Sequence, residues 1–359
     1  MIYDYLIIGQ GIAGSILAWK LIQRGKSVFV IDNDHRDSST RVAAGLLNPI
    51  TGKRFVLSWR FPEYFPVAKS FYREAEAALH KKFFQEKSII RILQSEAETE
   101  KLVARLEDPD YKNYLSRVFK PNELSEKFHN EHGAVEIAQG GILNPGEFLT
   151  AITEFLITKN AYKKAQFKYE DLTFSSSKIA WENICAHNII FCEGFYAIHN
   201  PLFSWLPFNP AKGEFLSVRA PLDNDHILNK KYSFIPNENG IFRVGATYAW
   251  DAFDNNPTEM ARNEILEAVN KLFIEDHEIE IIDQRAGVRP CTRDSRPFLG
   301  VHPEHSHCFI FNGFGSKGTL LCPFFADQFL SFLLNRGEIE PEVSINRYIE
   351  LYTKDHEAR

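Results

Sequence analysis

The stretch MIYDYLIIGQGIAGSILAWKLIQRGKSVFVID, residues 1–32, decides the fold of this 359-residue chain. Its apolar run from Tyr3 to Ile8 predicts a buried parallel strand. A glycine turn follows, and the apolar spacing after that turn predicts a helix that ends near Gly25. The segment 27–31 predicts a second buried strand, so the whole stretch predicts a βαβ unit.

The glycine turn has the spacing G-x-G-x-x-G, which between a strand and a helix predicts a dinucleotide site. Gly9 allows the tight turn, Gly11 leaves room for a pyrophosphate, and Gly14 lets the helix pack close to the strand. Asp32 lies 18 residues after Gly14 and is placed to accept hydrogen bonds from a ribose 2′-hydroxyl. NAD and FAD both use this arrangement, so the motif leaves the choice between them open. A glycine turn in an unrelated βαβ unit is the alternative.

Composition and charge exclude several classes of protein. The chain is 44% hydrophobic and 25% charged, which is typical of a globular protein, and its length favours two domains. A net charge of −6 gives no electrostatic case for binding nucleic acid. No segment predicts a transmembrane helix or a signal peptide. The five cysteines form no C-x-x-C pair, which favours reduced thiols and a cytoplasmic location.

Two patterns of hydrophobicity predict two kinds of sheet. Short apolar segments predict one parallel sheet interrupted by insertions, and they are residues 1–9, 27–32, 165–172 and 188–192. Segments that alternate apolar and polar residues predict antiparallel strands, and they are residues 213–220, 232–236 and 240–247. The stretch Asn237–Gly240 between the last two is a hairpin signal.

Several segments have the apolar spacing of helices, namely residues 66–84, 96–118, 148–158, 258–273 and 319–334. Asn144 followed by Pro145 is typical of a helix N-terminus and precedes the third of these segments.

The order of the segments resembles the D-amino-acid oxidase family of FAD-dependent oxidoreductases, which includes glycine and sarcosine oxidases. The similar segments are GQGIAG (9–14), AAGLLNP (43–49), NIIFCEGFYA (188–197), KGEFLSV (212–218), YSFIPNENGIFRVGAT (232–247), AGVRPCTRDSRPFLG (286–300) and NGFGSKGTLLCP (312–323). The last two are far more specific than the first glycines. A second glycine loop near the C-terminus favours FAD over NAD.

The resemblance implies an α/β fold with two interleaved domains. A Rossmann-like FAD-binding domain with a parallel sheet would take residues 1–50, 140–200 and 285–359. An α+β substrate domain built on an antiparallel sheet would take residues 51–139 and 201–284.

The motifs and the resemblance together imply a set of FAD-binding residues. They are Gly9, Gly11, Ile12, Ala13, Gly14, Asp32, Asn33, Thr40, Arg41, Ala44, Gly45, Leu46, Leu172, Glu193, Gly194, Gly287, Gly313, Gly315, Ser316, Lys317 and Gly318. FAD is expected to bind non-covalently, because family members with covalent flavin carry a cysteine where this chain has Gly287. No metal site is expected, since the histidine cluster at 302–307 lies in a polar turn.

The candidates for the catalytic site are Arg289, Lys317, Arg54 and Tyr232. The family uses the arginine of its G-x-R-P segment, here Arg289, to clamp a substrate carboxylate, and the planar guanidinium suits that role. A structural ion pair is the alternative. Lys317 precedes a predicted helix and is expected near the flavin edge where negative charge develops; a solvent-exposed lysine is the alternative. Lys53 and Arg54 lie where related sarcosine oxidases carry basic residues near the flavin; a solvent-exposed surface pair is the alternative.

The reaction implied is oxidation of the C–N bond of a small amino acid or secondary amine by hydride transfer to flavin N5. Tyr232 and Tyr248 lie in the predicted substrate sheet and are expected to line the pocket, with core packing as the alternative. O2 or another acceptor would reoxidise the flavin. An NAD-linked dehydrogenase and a flavin-binding protein with a non-catalytic partner role are the alternatives. The sequence leaves the substrate, the acceptor and the oligomeric state open.

Overall fold

The computed structural model describes residues 2–52, 54–175, 178–223, 225–275 and 277–357. The strands are β1 (Ile2–Ile8), β2 (Val28–Asp32), β3 (Leu46–Leu47), β4 (Ile50–Thr51), β5 (Val56–Leu57), β6 (Phe84–Glu86), β7 (Ile89–Ile92), β8 (Leu115–Phe119), β9 (Ala134–Ile137), β10 (Gly141–Leu143), β11 (Tyr162–Lys164), β12 (Leu172–Phe174), β13 (Ile179–Trp181), β14 (Ile184–Phe191), β15 (Ala211–Arg219), β16 (Ile227–Asn229), β17 (Ser233–Pro236), β18 (Ile241–Gly245), β19 (Glu280–Arg289), β20 (Phe298–Val301) and β21 (Cys308–Asn312). The α-helices are α1 (Ile12–Gln23), α2 (Ser39–Val42), α3 (Phe61–Leu79), α4 (Glu96–Leu106), α5 (Pro145–Thr158), α6 (Glu259–Asn270), α7 (Gly318–Leu333) and α8 (Ile349–Glu357).

The first sheet has the order β11-β2-β1-β14-β13-β12, and β21 also pairs with β14 and carries β20. Strands β11, β2, β1, β14 and β21 are parallel to their neighbours in this group. Ile7 and Val30 pack towards α1, α5 and α7 on one face. Leu6 and Ile31 pack on the other face, in a cluster that includes Trp181. Burial on both faces explains why these strands are continuously apolar.

The predicted strand at 165–172 is wrong in position. The strand beside β2 is β11, which ends at Lys164. The amide of Ala165 still donates to the carbonyl of Asp32, at 2.9 Å, and the chain then leaves the sheet for a 3₁₀ turn at Tyr169–Asp171. The predicted βαβ unit at the N-terminus is confirmed.

Two predicted helices have different limits in the structure. α3 begins at Phe61 rather than residue 66 and ends at Leu79, where the C-cap residue His80 has a left-handed φ of 53°. α4 ends at Leu106 rather than 118, because Pro109 cannot continue a helix and the following residues form β8. α5 has the predicted cap, since the side chain of Asn144 accepts a hydrogen bond from the amide of Glu147 at 3.3 Å.

The second large sheet has the order β19-β15-β18-β17-β16-β7-β9-β8 and is antiparallel except between β16 and β7. The turn at 237–240 joins the antiparallel pair β17–β18, as the hairpin signal predicts. Phe234 and Val244 pack on one face against Ile265 and Val269 of α6. The α/β fold class is confirmed. The domain limits stay a prediction, and β19 carries this sheet past residue 285 to Arg289.

Two smaller sheets join these layers: β3-β10-β6, and the hairpin β4-β5. Within the described ranges, none of the helices has the length and hydropathy needed to cross a bilayer.

Candidate functional site

A cavity of about 990 Å³ lies between the carboxyl ends of the parallel strands and the open face of the antiparallel sheet. Its lining is drawn mainly from residues within 8–13, 31–52, 165–169, 192–199, 229–235, 245–248, 287–290 and 312–320. Pockets for small ligands usually have a volume of about 300–1,000 Å³, so this cavity is at the large end of the range. Its position outside the carboxyl ends of parallel strands is where open α/β sheets bind ligands.

The N-terminal glycine turn forms one wall through close backbone packing. A Cβ on Gly14 would lie 1.9 Å from the carbonyl oxygen of Gly9, so a side chain would separate α1 from β1. A Cβ on Gly9, whose φ is +98°, would lie 2.6 Å from the carbonyl oxygen of Cys192. The amide of Ile12 donates to Oγ1 of Thr40 at 3.1 Å. Gly11 is the N-cap and offers no side chain, so the start of α1 is open to an anionic group.

Asp32 is held at the end of β2 by two backbone amides. Its Oδ2 accepts from the amide of Gln10 at 2.7 Å, and its Oδ1 accepts from the amide of Asp34 at 2.6 Å. Arg41, across the cavity wall, pairs with Asp34 at 3.1 Å. The carboxylate of Asp32 is therefore oriented beside the glycine turn, as recognition of a ribose requires.

The turn Ala43–Gly45 connects the cavity wall to the antiparallel sheet and to the small sheet β3-β10-β6. Gly45 has a φ of +70°, and a Cβ there would lie 1.8 Å from the carbonyl oxygen of Leu143, so this position requires glycine. Nη1 of Arg243 donates to the carbonyl of Ala43 at 2.9 Å and ties the turn to β18. Gly287 of β19 lies close to α2, since a Cβ there would be 3.3 Å from Cα of Ser39.

Glu193 is a half-buried carboxyl group in the cavity wall. The hydroxyl of Tyr169 donates to its Oε1, and Nδ2 of Asn200 donates to its Oε2 at 2.7 Å. Burial raises the pKa of Glu193 to about 7, against the opposing effect of these two hydrogen bonds. The carbonyl of the next residue, Gly194, accepts from Nδ2 of Asn312 at 2.9 Å, which joins the ends of β14 and β21.

Arg289 lies in the cavity wall at the end of β19. Both Nη atoms lie 3.3 Å from the carbonyl oxygen of Thr247, and its Cζ lies 4.2 Å from the centre of the Tyr248 ring. A Cβ on Gly213 of the neighbouring strand would lie 2.1 Å from Nη2, so glycine there makes room for the guanidinium. No carboxylate of the described residues lies within 4.0 Å of Arg289. The alternative of a structural ion pair is thus not seen among them.

Lys317 is the N-cap residue of α7 and lines the cavity with the loop before it. Burial lowers the pKa of its ammonium group, and the charge of Arg296 lowers it further. A Cβ on Gly318 would lie 2.9 Å from Cγ2 of Ile12, so the starts of α7 and α1 are in contact. Two helix N-termini therefore meet at this cavity, and both favour negative charge.

Tyr232 lines the cavity, but its hydroxyl already has a partner. It donates to Oε1 of Glu264 at 2.6 Å, and Lys231 lies 3.0 Å from the same oxygen. Burial raises the pKa of the Tyr232 phenol. Tyr248 also lines the cavity, with 56% of its surface exposed.

The structure brings most of the predicted site residues together. Those that line the cavity are Gly9, Gly11, Ile12, Ala13, Asp32, Asn33, Thr40, Arg41, Ala44, Gly45, Leu46, Glu193, Gly194, Tyr232, Gly287, Arg289, Gly315, Ser316, Lys317 and Gly318. Gly14 and Gly313 lie behind the lining, where they permit close packing. Leu172 lies on β12, away from the lining, and Arg54 is exposed in the turn between β4 and β5. Lys53 lies outside the described residues.

Several residues that line the cavity were not predicted from the sequence. Phe167 and Tyr169, between β11 and β12, line the cavity, whereas Leu172 does not. Arg91, Asn229 and Ser233 also line the cavity. Alternation along the strands was the available signal for Ser233, since it places residues 233 and 235 on the same face.

Comparisons with known proteins agree with this geometry. A family model described as FAD dependent oxidoreductase, DAO, matches residues 4–329. The glycine oxidase of Geobacillus kaustophilus is 24% identical over 354 residues, which cover 89% of this chain and 90% of that protein. Its crystal structure has a TM-score of 0.80 at 21% identity, covering 94% and 95% of the two chains. The crystal structure of iminodiacetate oxidase from a Chelativorans species has a TM-score of 0.78 at 20% identity, covering 96% and 98%. These structural likenesses show a shared fold.

Proposed function

This chain belongs to the DAO family of FAD-dependent oxidoreductases, and from that premise we propose that it oxidises the C–N bond of a small amino acid or secondary amine whose carboxylate is held by Arg289. The observation that carries this proposal is the guanidinium of Arg289, which lies in the cavity wall with no carboxylate partner among the described residues. Two relatives, glycine oxidase and iminodiacetate oxidase, are named for substrates that carry a carboxylate beside an amine.

FAD is the cofactor of this family, and the cavity has the features that FAD needs. The glycine turn and the open starts of α1 and α7 suit a pyrophosphate, and Asp32 suits a ribose hydroxyl. We propose that the predicted residues in the cavity lining hold it. Cys192 is the one cysteine among the described lining residues, and burial raises the pKa of its thiol well above the usual range. A protonated thiol is a poor nucleophile, which supports non-covalent binding.

The protein's own part in the reaction is to position the substrate. When bound, FAD supplies a hydride acceptor for the carbon beside the amine nitrogen. Arg289 offers two Nη atoms for bidentate binding of a carboxylate, and the Tyr248 ring and the Thr247 carbonyl fix its plane. Lys317 and the start of α7 contribute positive potential to the same cavity. These fixed positive charges favour an anionic substrate, and they favour negative charge that develops in the cavity during the reaction.

Anaerobic titration of the purified flavoprotein tests the proposal. Amino acids and N-methyl amino acids should bleach the flavin bands, and Arg289→Met should weaken the response to carboxylate substrates by about 10–150-fold, the loss expected for hydrogen bonds to a charged group. A carboxylate-free amine should lose far less. Arg293→Met is the matched control, because Arg293 is exposed and lies outside the lining.

Two results would refute the proposal: a panel in which no amine or amino acid reduces the flavin, or an Arg289→Met variant that keeps its preference for carboxylates. The family assignment sets aside the NAD-linked alternative and the non-catalytic alternative. Reoxidation by O2 or by another acceptor stays a prediction, and hydrogen peroxide formation distinguishes the two.

A further inference from the structure

A second group of polar side chains lines the cavity away from Arg289. Arg91 on β7 is in register with Asn229 on β16, and Asn229 is in register with Ser233 on β17. All three line the cavity. Nδ2 of Asn229 donates to Oγ of Ser233 at 2.9 Å, which leaves the Ser233 hydroxyl free to donate.

Arg91 is buried without a full set of partners. Only 5% of its surface is exposed, and its Cζ lies 4.5 Å from the centre of the Phe55 ring. Its Nη2 donates to Oε1 of Glu98 at 3.3 Å, which is the one hydrogen bond of this guanidinium within the described residues. Its Nε is buried with no hydrogen-bond partner there. A guanidinium has five N–H donors, and buried donors without partners are costly, so this position calls for an explanation.

Arg91 and Arg289 belong to well-separated strands of the antiparallel sheet. Five strand-to-strand steps separate β7 from β19. At a spacing of about 4.8 Å, these steps span roughly 24 Å in a flat sheet, and twist shortens the direct path. Gly213 on β15 and Gly245 on β18 line the cavity between the two arginines. A ligand that contacts both arginines must therefore be extended.

We propose that Arg91, Asn229 and Ser233 form a subsite for an acceptor oxygen, from a carboxylate or an amide, at the end of the substrate remote from the oxidised C–N bond. This inference rests on the proposed function and selects, among its secondary amines, those that carry an extended chain. The guanidinium and the serine hydroxyl supply the donors. Glu98 balances the charge of Arg91, so the subsite does not require a charged ligand.

A graded series of ligands on the FAD-loaded protein tests this subsite. The series begins with glycine and N-methylglycine and continues with N-carboxyalkyl glycines of increasing chain length and their terminal amides. Dissociation constants come from the change in the flavin spectrum or from calorimetry, so binding is measured whether or not the flavin is reduced. Affinity should rise at least tenfold once the chain is long enough to reach the subsite.

Arg91→Met combined with Glu98→Gln should abolish that gain, because it removes the donors without leaving a buried carboxylate unpaired. The control is Arg117→Met combined with Glu123→Gln, the same changes at an exposed ion pair whose Nη2 and Oε1 atoms lie 3.6 Å apart. This control should leave the gain in affinity intact. Asn229→Ala should reduce the gain as well, and it leaves the Arg91–Glu98 pair in place if the double variant fails to fold.

The outcomes separate this inference from the proposed function. A gain shared by carboxylates and amides, or limited to carboxylates, supports the subsite and identifies the group that it prefers. Equal affinity along the whole series, or a gain that survives both the double variant and Asn229→Ala, overturns it. If extended ligands bind as expected but no member of the series reduces the flavin, the proposed reaction fails and the subsite stands.

Discussion

The stability of the protein should depend on pH through the carboxyl group of Glu193. Burial raises the pKa of this carboxyl group from 4.5 to about 7 in the folded protein. Between these values the folded state holds a proton that the unfolded state has lost, so the free energy of unfolding decreases as the pH rises. The decrease reaches about 3 kcal/mol if the full difference in pKa is expressed.

Glu193→Gln should remove this dependence, because a glutamine keeps the shape of the side chain and does not titrate. Below pH 4.5 the variant should be no more stable than the wild type. Its free energy of unfolding should then exceed that of the wild type by an amount that grows up to about pH 7 and stays nearly constant above it. Urea unfolding at a series of pH values, with FAD held at one saturating concentration, measures the difference. Glu170→Gln, at an exposed position nearby, is the control. A constant difference between Glu193→Gln and the wild type across this range would contradict the prediction.

At the scale of elements, the site depends on the contact between the start of α1 and the ends of β1 and β14. Gly14 lies where a Cβ would come within 1.9 Å of a backbone oxygen, which no side-chain movement can relieve. The starts of α1 and α7 touch through Ile12 and Gly318. A displacement of α1 would therefore disturb both helix ends that face the cavity.

Gly14→Ala should destabilise the protein by about 1–3 kcal/mol, the usual cost of overpacking, and lower FAD retention. The ratio of flavin to protein absorbance and the melting temperature measure the two effects. Gly146→Ala is a matched control in the first turn of α5, where a Cβ would make an ordinary contact of 3.5 Å with Oδ1 of Asn144. The idea is refuted if Gly14→Ala retains flavin and stability as well as Gly146→Ala does.

At the scale of the whole molecule, the cavity joins parts of the chain that are distant in sequence. Its lining includes the N-terminal turn, the face of the antiparallel sheet and the loop before α7. A ligand that touches all three should stabilise them together, since binding to the folded state alone adds free energy of unfolding.

Adding FAD to the flavin-free protein should therefore raise the melting temperature. At a hundred times the dissociation constant, the expected gain is about 2.7 kcal/mol of stability. NAD at the same concentration is the matched control, because it shares the ADP half but lacks the flavin. Equal shifts with FAD and NAD would contradict the assignment of the flavin half to the walls around Arg289 and Lys317.

Several features of this molecule could be predicted from local sequence. The βαβ unit at residues 1–32 and the cap at Asn144 depend on the spacing of near neighbours, and the structure confirms both. The strand predicted at 165–172 is wrong in position, because tertiary contacts determine where the chain leaves the sheet after Lys164. Leu172, predicted to contact the cofactor, lies away from the cavity, while Phe167 and Tyr169 of the same segment line it.

The glycine turn, the acid at Asp32 and the family resemblance could be identified from local sequence alone, because they depend on residue type and short spacing. The placement of Arg289 depends on the folded chain, since Gly213 on a neighbouring strand makes room for its guanidinium and the carbonyl of Thr247 accepts its hydrogen bonds. The same is true of Arg91, whose proposed role rests on strand order and on burial next to Glu98. Contacts between residues far apart in the chain leave no local pattern, and this is why the substrate end of the cavity emerged only from the fold.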